Sequence, residues 1–326
     1  MRRLLKSSAV WLVAFFAAGE LGTRWLATDD CDGDYEFGLR PNEGFTEVGT
    51  NLVIEWTRQR RFRNQSIGRS KPEGRKRIFV FGDSVARGTA AQTPYAARLE
   101  GILQRDGIDA EVMNFAAIGA GCRKIGSILT AAMEYHPDVV VIHLNAHNEA
   151  FDERDWTLRQ QFVNWHPRFW LAHSRMFRKA GEWKRTNLYE RMLPRMAGPL
   201  MQENEKFVLF EKWNFEVYSN RVARVQTVTG QSIRMVRDAG VEVVLVSPVQ
   251  VTERDGRFHF DDEGFDDYCN GLAKDRVSYV SMTKLFRTDT PFDSHLKGDG
   301  VHLDDQGHAR LGAALAKHIL ESGLLE

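Results

Sequence analysis

Residues 77–84 read Arg77-Ile78-Phe79-Val80-Phe81-Gly82-Asp83-Ser84. Ile78 to Phe81 is a short apolar run of β-branched and aromatic side chains that stops at glycine, which reads as a strand. A serine on the strand-to-helix turn that follows stands exposed at the sheet edge, with a backbone N–H that can point at a ligand. The same residue also reads as a helix N-cap.

Working outward, the pattern alternates between strand and helix. Thr93-Pro94 opens a helix, with threonine as cap and proline at the first helical position, and Leu99, Ile102 and Leu103 form its apolar face. Gly107 ends it, and Ala110–Asn114 is the next strand. Ile125, Leu129 and Met133 mark a second helix. Val139–Leu144 is a continuous apolar run, as expected for a strand buried on both faces. A long polar helix ends at Gly240. Val241–Val246 is a further central strand, and Val277–Val280 a shorter one. The last helix starts near Asp305, with Leu311, Leu315 and Ile319 on one face. This repetition predicts an α/β fold with a parallel sheet covered by helices on both sides. Residues 151–215 break the rhythm. They are rich in arginine and aromatics, including Trp156, Trp165, Trp170, Trp183 and Trp213, and read as an insertion between core strands. Its tryptophans fit a small core of its own and a substrate-facing platform equally well.

The chain has 326 residues, enough for one large domain or two small ones. Lys plus Arg and Asp plus Glu each total 44, so the formal charge is zero. That balance argues against a nucleic-acid binder. With 43% hydrophobic and 27% charged residues the chain is globular. Cys31, Cys122 and Cys269 lack the spacing of a zinc site or a disulfide scaffold, which leaves a Cys31–Cys269 bridge open.

Three segments are expected: residues 1–28, a linker and preamble over 29–76, and a main domain over 77–326. In the first, Arg2, Arg3 and Lys6 precede an apolar run from Ala9 to Ala18. The run is short of the roughly 17–25 residues that span a bilayer, and it lengthens only by passing Glu20 and Arg24. A single-pass anchor, a cleaved signal peptide and a buried helix all fit it. Either export reading leaves the bulk of the chain on the non-cytoplasmic side. Residues 29–36 are acidic and read as a solvated linker. Between 58 and 77, Arg58, Arg60, Arg61, Arg63, Arg69, Lys71, Arg75, Lys76 and Arg77 are opposed only by Glu73. This run reads as a solvated face, or as a contact for lipid headgroups or an acidic glycan.

In a parallel α/β sheet, ligands bind outside the carboxyl ends of the strands. Four places there carry polar residues. The first is Gly82-Asp83-Ser84. The second runs from Asn114 to Gly121, where glycine lets the backbone approach a ligand. The third is Asn145-Ala146-His147-Asn148-Glu149, with a side-chain amide suited to a developing oxyanion. The fourth is Asp299-Gly300-Val301-His302, a loop short enough to fold the carboxylate onto one imidazole nitrogen and leave the other as a base.

In this order the four pieces resemble the SGNH/GDSL hydrolase superfamily, over roughly residues 77–150 and 216–322. The family's GDS block is Gly82-Asp83-Ser84, and its second block matches Asn114 and Gly119. Its GxND block matches Ala146-His147-Asn148-Glu149, and its DxxH block Asp299 and His302. Ala146 replaces glycine and Glu149 replaces aspartate, a mild change if that carboxylate braces the loop. The resemblance implies a three-layer α/β/α sandwich with a central parallel sheet, flavodoxin-like. It also implies Ser84 as nucleophile, His302 as base and Asp299 as its partner, with an oxyanion hole from the Ser84 and Gly119 N–H groups and the Asn148 amide. Asp83 reads as a brace for the turn. Cys122, near the oxyanion loop, has no base of its own, and His136, His143 and His318 read as surface or helix-packing residues. No cofactor and no metal are implied. The expected partners are a small-molecule, glycan or lipid ester and, through the N-terminal segment, a membrane. The expected activity is a serine esterase. A polysaccharide O-acetyltransferase using the same residues and a non-catalytic glycan-binding module are the alternatives.

Overall fold

The structure, a computed structural model, describes residues 2–26, 45–54, 62–89, 91–146, 148–149, 174, 176, 220–254, 257–287 and 300–326. Its contacts form two compact units, one of residues 1–39 and 155–218, the other of residues 40–154 and 219–326.

In the first unit, α1 (Arg2–Leu26) is one continuous helix of 25 residues. Val10, Trp11, Leu12, Val13 and Phe15 are each at least 60% exposed. Consecutive helical residues point about 100° apart, so exposed apolar side chains occur all round the helix. Glu20, which interrupts the apolar run, accepts hydrogen bonds from Ser174 Oγ (2.8 Å) and Met176 N (3.1 Å). Among the described residues no helix is long and apolar enough to cross a membrane.

The second unit opens with a small antiparallel sheet of β1 (Thr46–Val48), β2 (Asn51–Ile54) and β3 (Gln65–Gly68). The main sheet follows: β4 (Lys76–Phe81) leads into α2 (Ser84–Arg87) and α3 (Tyr95–Arg105). β5 (Ala110–Asn114) leads into α4 (Cys122–Ala132), and β6 (Val139–His143) is the third core strand. Then come α5 (Arg221–Asp238), β7 (Glu242–Ser247), and a hairpin of β8 (Gln250–Arg254) and β9 (Arg257–Asp261). The chain ends with α6 (Phe265–Leu272), β10 (Val277–Ser281), α7 (Met282–Phe286) and α8 (Asp305–Glu321). The five-stranded sheet has the order β10-β7-β6-β4-β5, all parallel. Taking the core strands in chain order, this is the 2-1-3-4-5 flavodoxin-like arrangement, whose switch point lies between the first and third strands, here β4 and β6.

Successive side chains of β4 face opposite layers. Ile78 and Val80 join a core with Leu99 and Leu103 of α3 and Leu311, Leu315 and Ile319 of α8. Gly312 lets these two helices meet, since a Cβ there would lie 2.7 Å from the Cβ of Arg98. Phe79 and Phe81 pack instead on Phe115, which also meets Phe45 (centroids 4.9–5.4 Å apart). Edge strand β5 is covered by β3: Gln65 Oε1 accepts from Asn114 N (2.8 Å) and Gln65 Nε2 donates to Asn114 O (3.2 Å). An occupied edge offers no template for other chains.

Several cations of the basic stretch are committed to the fold, while Arg69 stays largely exposed beside Glu47 (3.1 Å), as a solvated face would have it. Arg77 is fully buried and pairs with Glu111 Oε1 on β5 (2.5 Å). It also donates to the carbonyls of Tyr135 (2.8 Å), Gly68 (2.8 Å) and Arg69 (3.3 Å). Arg63 donates to the carbonyls of Gly88, Ala91 and Gln92, and Lys71 pairs with Asp138 at 2.8 Å. A buried guanidinium needs this many acceptors to offset its desolvation. Arg58, Arg60 and Arg61 lie outside the described residues. Cys269 is a buried free thiol, pushed up to about 12 chiefly by burial. Cys31 itself lies outside the described residues.

The start of α3 also corrects its expectation. The helix begins at Tyr95 with Pro94 in the cap position and no side-chain cap. Asp305 Oδ1 accepts from Gln92 N (2.9 Å) and Thr93 N (3.2 Å) instead, and His308 Nδ1 accepts from Tyr95 N (3.2 Å). His308 is therefore neutral, with its proton on Nε2. Burial, followed by the nearby Arg63 charge, lowers it to about 4. His143 on β6 lies 3.4 Å from the Tyr95 hydroxyl and is lowered to about 3, by burial and then by His308.

Both histidines thus take up a proton in the unfolded chain below the ordinary value of 6.5 while the folded chain resists. Their contribution is complete above pH 6.5 and declines as pH falls towards 4, by up to about 1.4 kcal/mol per pH unit for each histidine. Urea unfolding at pH 7.5, 6.0 and 4.5 will show this loss, and His308→Gln will flatten it. An equal pH slope in that variant would contradict the assignment.

Candidate active site

Gly82 leaves β4 where the backbone is crowded: a Cβ there would lie 2.5 Å from Ala86 Cβ and 3.0 Å from His143 Cβ. The chain then turns directly into α2. Asp83 is its N-cap, and its Oδ1 accepts from Val85 N at 2.9 Å. Ser84 is the first helical residue, so its N–H has no partner within the helix and faces outward from the first turn. Gly88 closes the helix in the left-handed region (φ 74°).

Asp83 Oδ2 receives two further donors from the loop after β6, Asn145 Nδ2 and Asn148 Nδ2, the latter at 3.0 Å. The carboxylate is 1% exposed, so all of these bonds are shielded from water. A primary amide carries two hydrogens. Asn148 therefore holds its orientation with one and has a second to offer a ligand.

The loop after β5 is organised by Asn114. Its Oδ1 accepts from Ala116 N (3.0 Å) and its Nδ2 donates to Ala86 O (2.9 Å), tying the loop to α2. Gly119 has φ +73°, a conformation that other residues rarely adopt, although a Cβ there would meet nothing. The need for glycine at 119 is therefore conformational, whereas at 82 it is steric.

His302 arrives from the far end of the chain. Its Nε2 lies 2.8 Å from Ser84 Oγ. The preceding Gly300 has φ +70°, accepts from Val251 N at 2.9 Å, and leaves no room for a Cβ against the Val251 carbonyl. Strand β8 thus pins the loop that presents the imidazole. On the other side, Asp304 Oδ1 caps α8 through Gly307 N (2.7 Å).

Of the residues expected from sequence, Ser84 and His302 are in contact, and Asn148 is held to the same turn by Asp83. Gly119 lies on the adjacent strand's loop. Asp299 and His147 lie outside the described residues. Two further residues contribute, and of these only Asn145 had no role expected from sequence. Asn145 is buried and shares the Asp83 carboxylate, and its only signal was a second asparagine three residues before Asn148. Glu149, read as a brace, accepts from Cys122 N (2.9 Å) and Cys122 Sγ (3.0 Å). Among the described residues no cluster of His, Cys, Asp and Glu could hold a metal.

A profile of the GDSL-like lipase/acylhydrolase family matches residues 80–310, well over half of the chain. No curated protein sequence matches significantly. Among solved structures the chain is similar to the lipase Lip_vut3 from a goat rumen metagenome (12% identity, TM-score 0.43, covering 74% of this chain and 96% of that one). It is similar also to TesA (16%, 0.45, 75% and 98%), and to the psychrotrophic esterase EstA from Pseudoalteromonas sp. (12%, 0.41, 77% and 100%). The match across the serine turn, the core strands and the histidine loop shows that the chain belongs to the GDSL-like lipase/acylhydrolase family and is a serine hydrolase acting on esters.

Proposed function

We propose that Ser84 attacks the carbonyl of an acyl or acetyl ester and forms an acyl-enzyme that water then cleaves. The observation that carries this reading is the 2.8 Å contact between Ser84 Oγ and His302 Nε2. In it, His302 Nε2 takes the Ser84 proton as Oγ bonds to the carbonyl carbon, and returns it to the departing alcohol. Asp299 holds the imidazole tautomer and stabilises the imidazolium. The carbonyl oxygen becomes an oxyanion that accepts from the Ser84 and Gly119 N–H groups and the Asn148 amide. A second, reverse cycle with water releases the acid.

For the substrate, we infer a glycan O-acetyl ester or a lipid ester, reached at a membrane surface. Exposed apolar side chains around α1 and the cations Arg2, Arg3 and Lys6 before them support a membrane tether, with the catalytic unit on the non-cytoplasmic side.

On p-nitrophenyl acetate, Ser84→Ala and His302→Ala will each lower kcat/KM by about 10³–10⁶-fold. Asn148→Ala will lower kcat by about 10²–10³-fold with little change in KM. Comparing acetate with octanoate and an acetylated glycan will give the acyl preference, and product analysis will separate hydrolysis from transfer to a sugar hydroxyl. Activity that survives Ser84→Ala would sink the proposal. For the tether, the full-length chain will sediment with anionic lipid vesicles and a chain lacking residues 1–28 will stay in the supernatant. Equal sedimentation of the two would refute it.

A further inference from the structure

The three proposed oxyanion donors come from three loops at the carboxyl edge of the sheet, after β4, β5 and β6. Each pair of loops is tied. Ala117 N donates to Gly82 O at 3.2 Å, joining the β5 loop to the β4 turn. Asp83 joins the β4 turn to the β6 loop through Asn145 and Asn148. The third side of this triangle is Glu149, from the β6 loop. It is 1% exposed, and its Oε1 accepts from Cys122 N at 2.9 Å. Its Oε2 accepts from Cys122 Sγ at 3.0 Å and lies 3.8 Å from Arg224 Nε on α5, which supplies the opposite charge.

The placement of this tie matters. Glu149 directly follows Asn148, and Cys122 lies three residues beyond Gly119. Cys122 is the first residue of α4, so its amide lacks an intrahelical acceptor and Glu149 satisfies it from the neighbouring loop. The extra methylene of glutamate over aspartate provides the reach.

We propose that Glu149 is a positioning residue for the oxyanion hole, holding the Gly119 amide and the Asn148 side chain at a fixed separation while negative charge develops on the substrate. This rests on the esterase reading above. Glu149 touches no reacting atom. It acts by keeping two donors from drifting apart, and oxyanion stabilisation depends on donors placed in advance. Losing the tie therefore slows the chemical step and leaves substrate binding in place.

The test uses the full-length chain with Glu149→Ala, Glu149→Asp, Glu149→Gln, Asn148→Ala and the double variant Asn148→Ala/Glu149→Ala, on p-nitrophenyl acetate. Glu149→Ala is expected to lower kcat about 10–100-fold with KM within about twofold. Glu149→Gln keeps an acceptor for Cys122 N and should recover part of the loss. Glu149→Asp, too short to reach, should not. With Asn148 already removed, Glu149→Ala should lower kcat by less than about threefold, because both act through one hole. If Glu149→Ala does not fold, the Gln and Asp variants carry the same comparison. The proposal is overturned if the full loss persists in the Asn148→Ala background, if only KM changes, or if thermal stability falls with kcat intact. A folded but inactive wild-type chain would overturn the esterase reading and this one together. An active wild type with additive variants would overturn the Glu149 role alone.

Discussion

The carboxylate of Asp83 is almost wholly removed from water, and it meets Val85 N, Asn145 Nδ2 and Asn148 Nδ2. An unpaired buried carboxylate would cost several kcal/mol, so these donors are a condition of the fold as well as a feature of the site. The first fixes the turn that carries Ser84. The other two lock the loop after β6 onto it. Because β4 and β6 flank the switch point of the sheet, the crevice that the topology opens there is spanned by one side chain.

The rest of the site is supported from outside this pair of strands. His302 reaches Ser84 because Gly300 packs against Val251, and because Asp304, Asp305 and His308 anchor the following helix. Asp305 and His308 bond the backbone just ahead of α3 and at its first residue. The segment that delivers the base is therefore docked on the helix that follows the nucleophile's own turn. The neutral state of His308 makes this docking sensitive to acid.

Much of the core was legible in sequence because strands buried on both faces carry their own signature. The Ala110–Asn114 strand has the bounds expected from sequence, and the strands ending at Phe81 and His143 lie within a residue or two of theirs. The serine turn and histidine loop were legible only in combination, since each piece alone also reads as a cap or a turn and it is their order along the chain that carries the resemblance. What stayed hidden was decided by distant partners. The acceptor for Thr93 N is Asp305, 212 residues away, and no local cap predicts that. Arg77 looks like one more cation in a basic run until Glu111 on the next strand is placed beside it. The strands β1, β3, β8 and β9 are short and carry polar or charged residues, so they lack a continuous apolar run, and β2 has one of only three residues, Leu52 to Ile54. The role of Asn145, and the identity of Cys122 as the group that Glu149 braces, needed three-dimensional neighbours to become visible.

Covalent capture of the nucleophile probes the site most directly. The full-length chain would be treated with a fluorophosphonate at neutral pH, then measured by intact mass and peptide mapping. A single adduct on Ser84, absent from folded His302→Ala on the same timescale, is the predicted result. A folded wild-type chain that remains unmodified, or an adduct that maps to another residue such as Cys122, would contradict the assignment of Ser84 and His302 as the reacting pair.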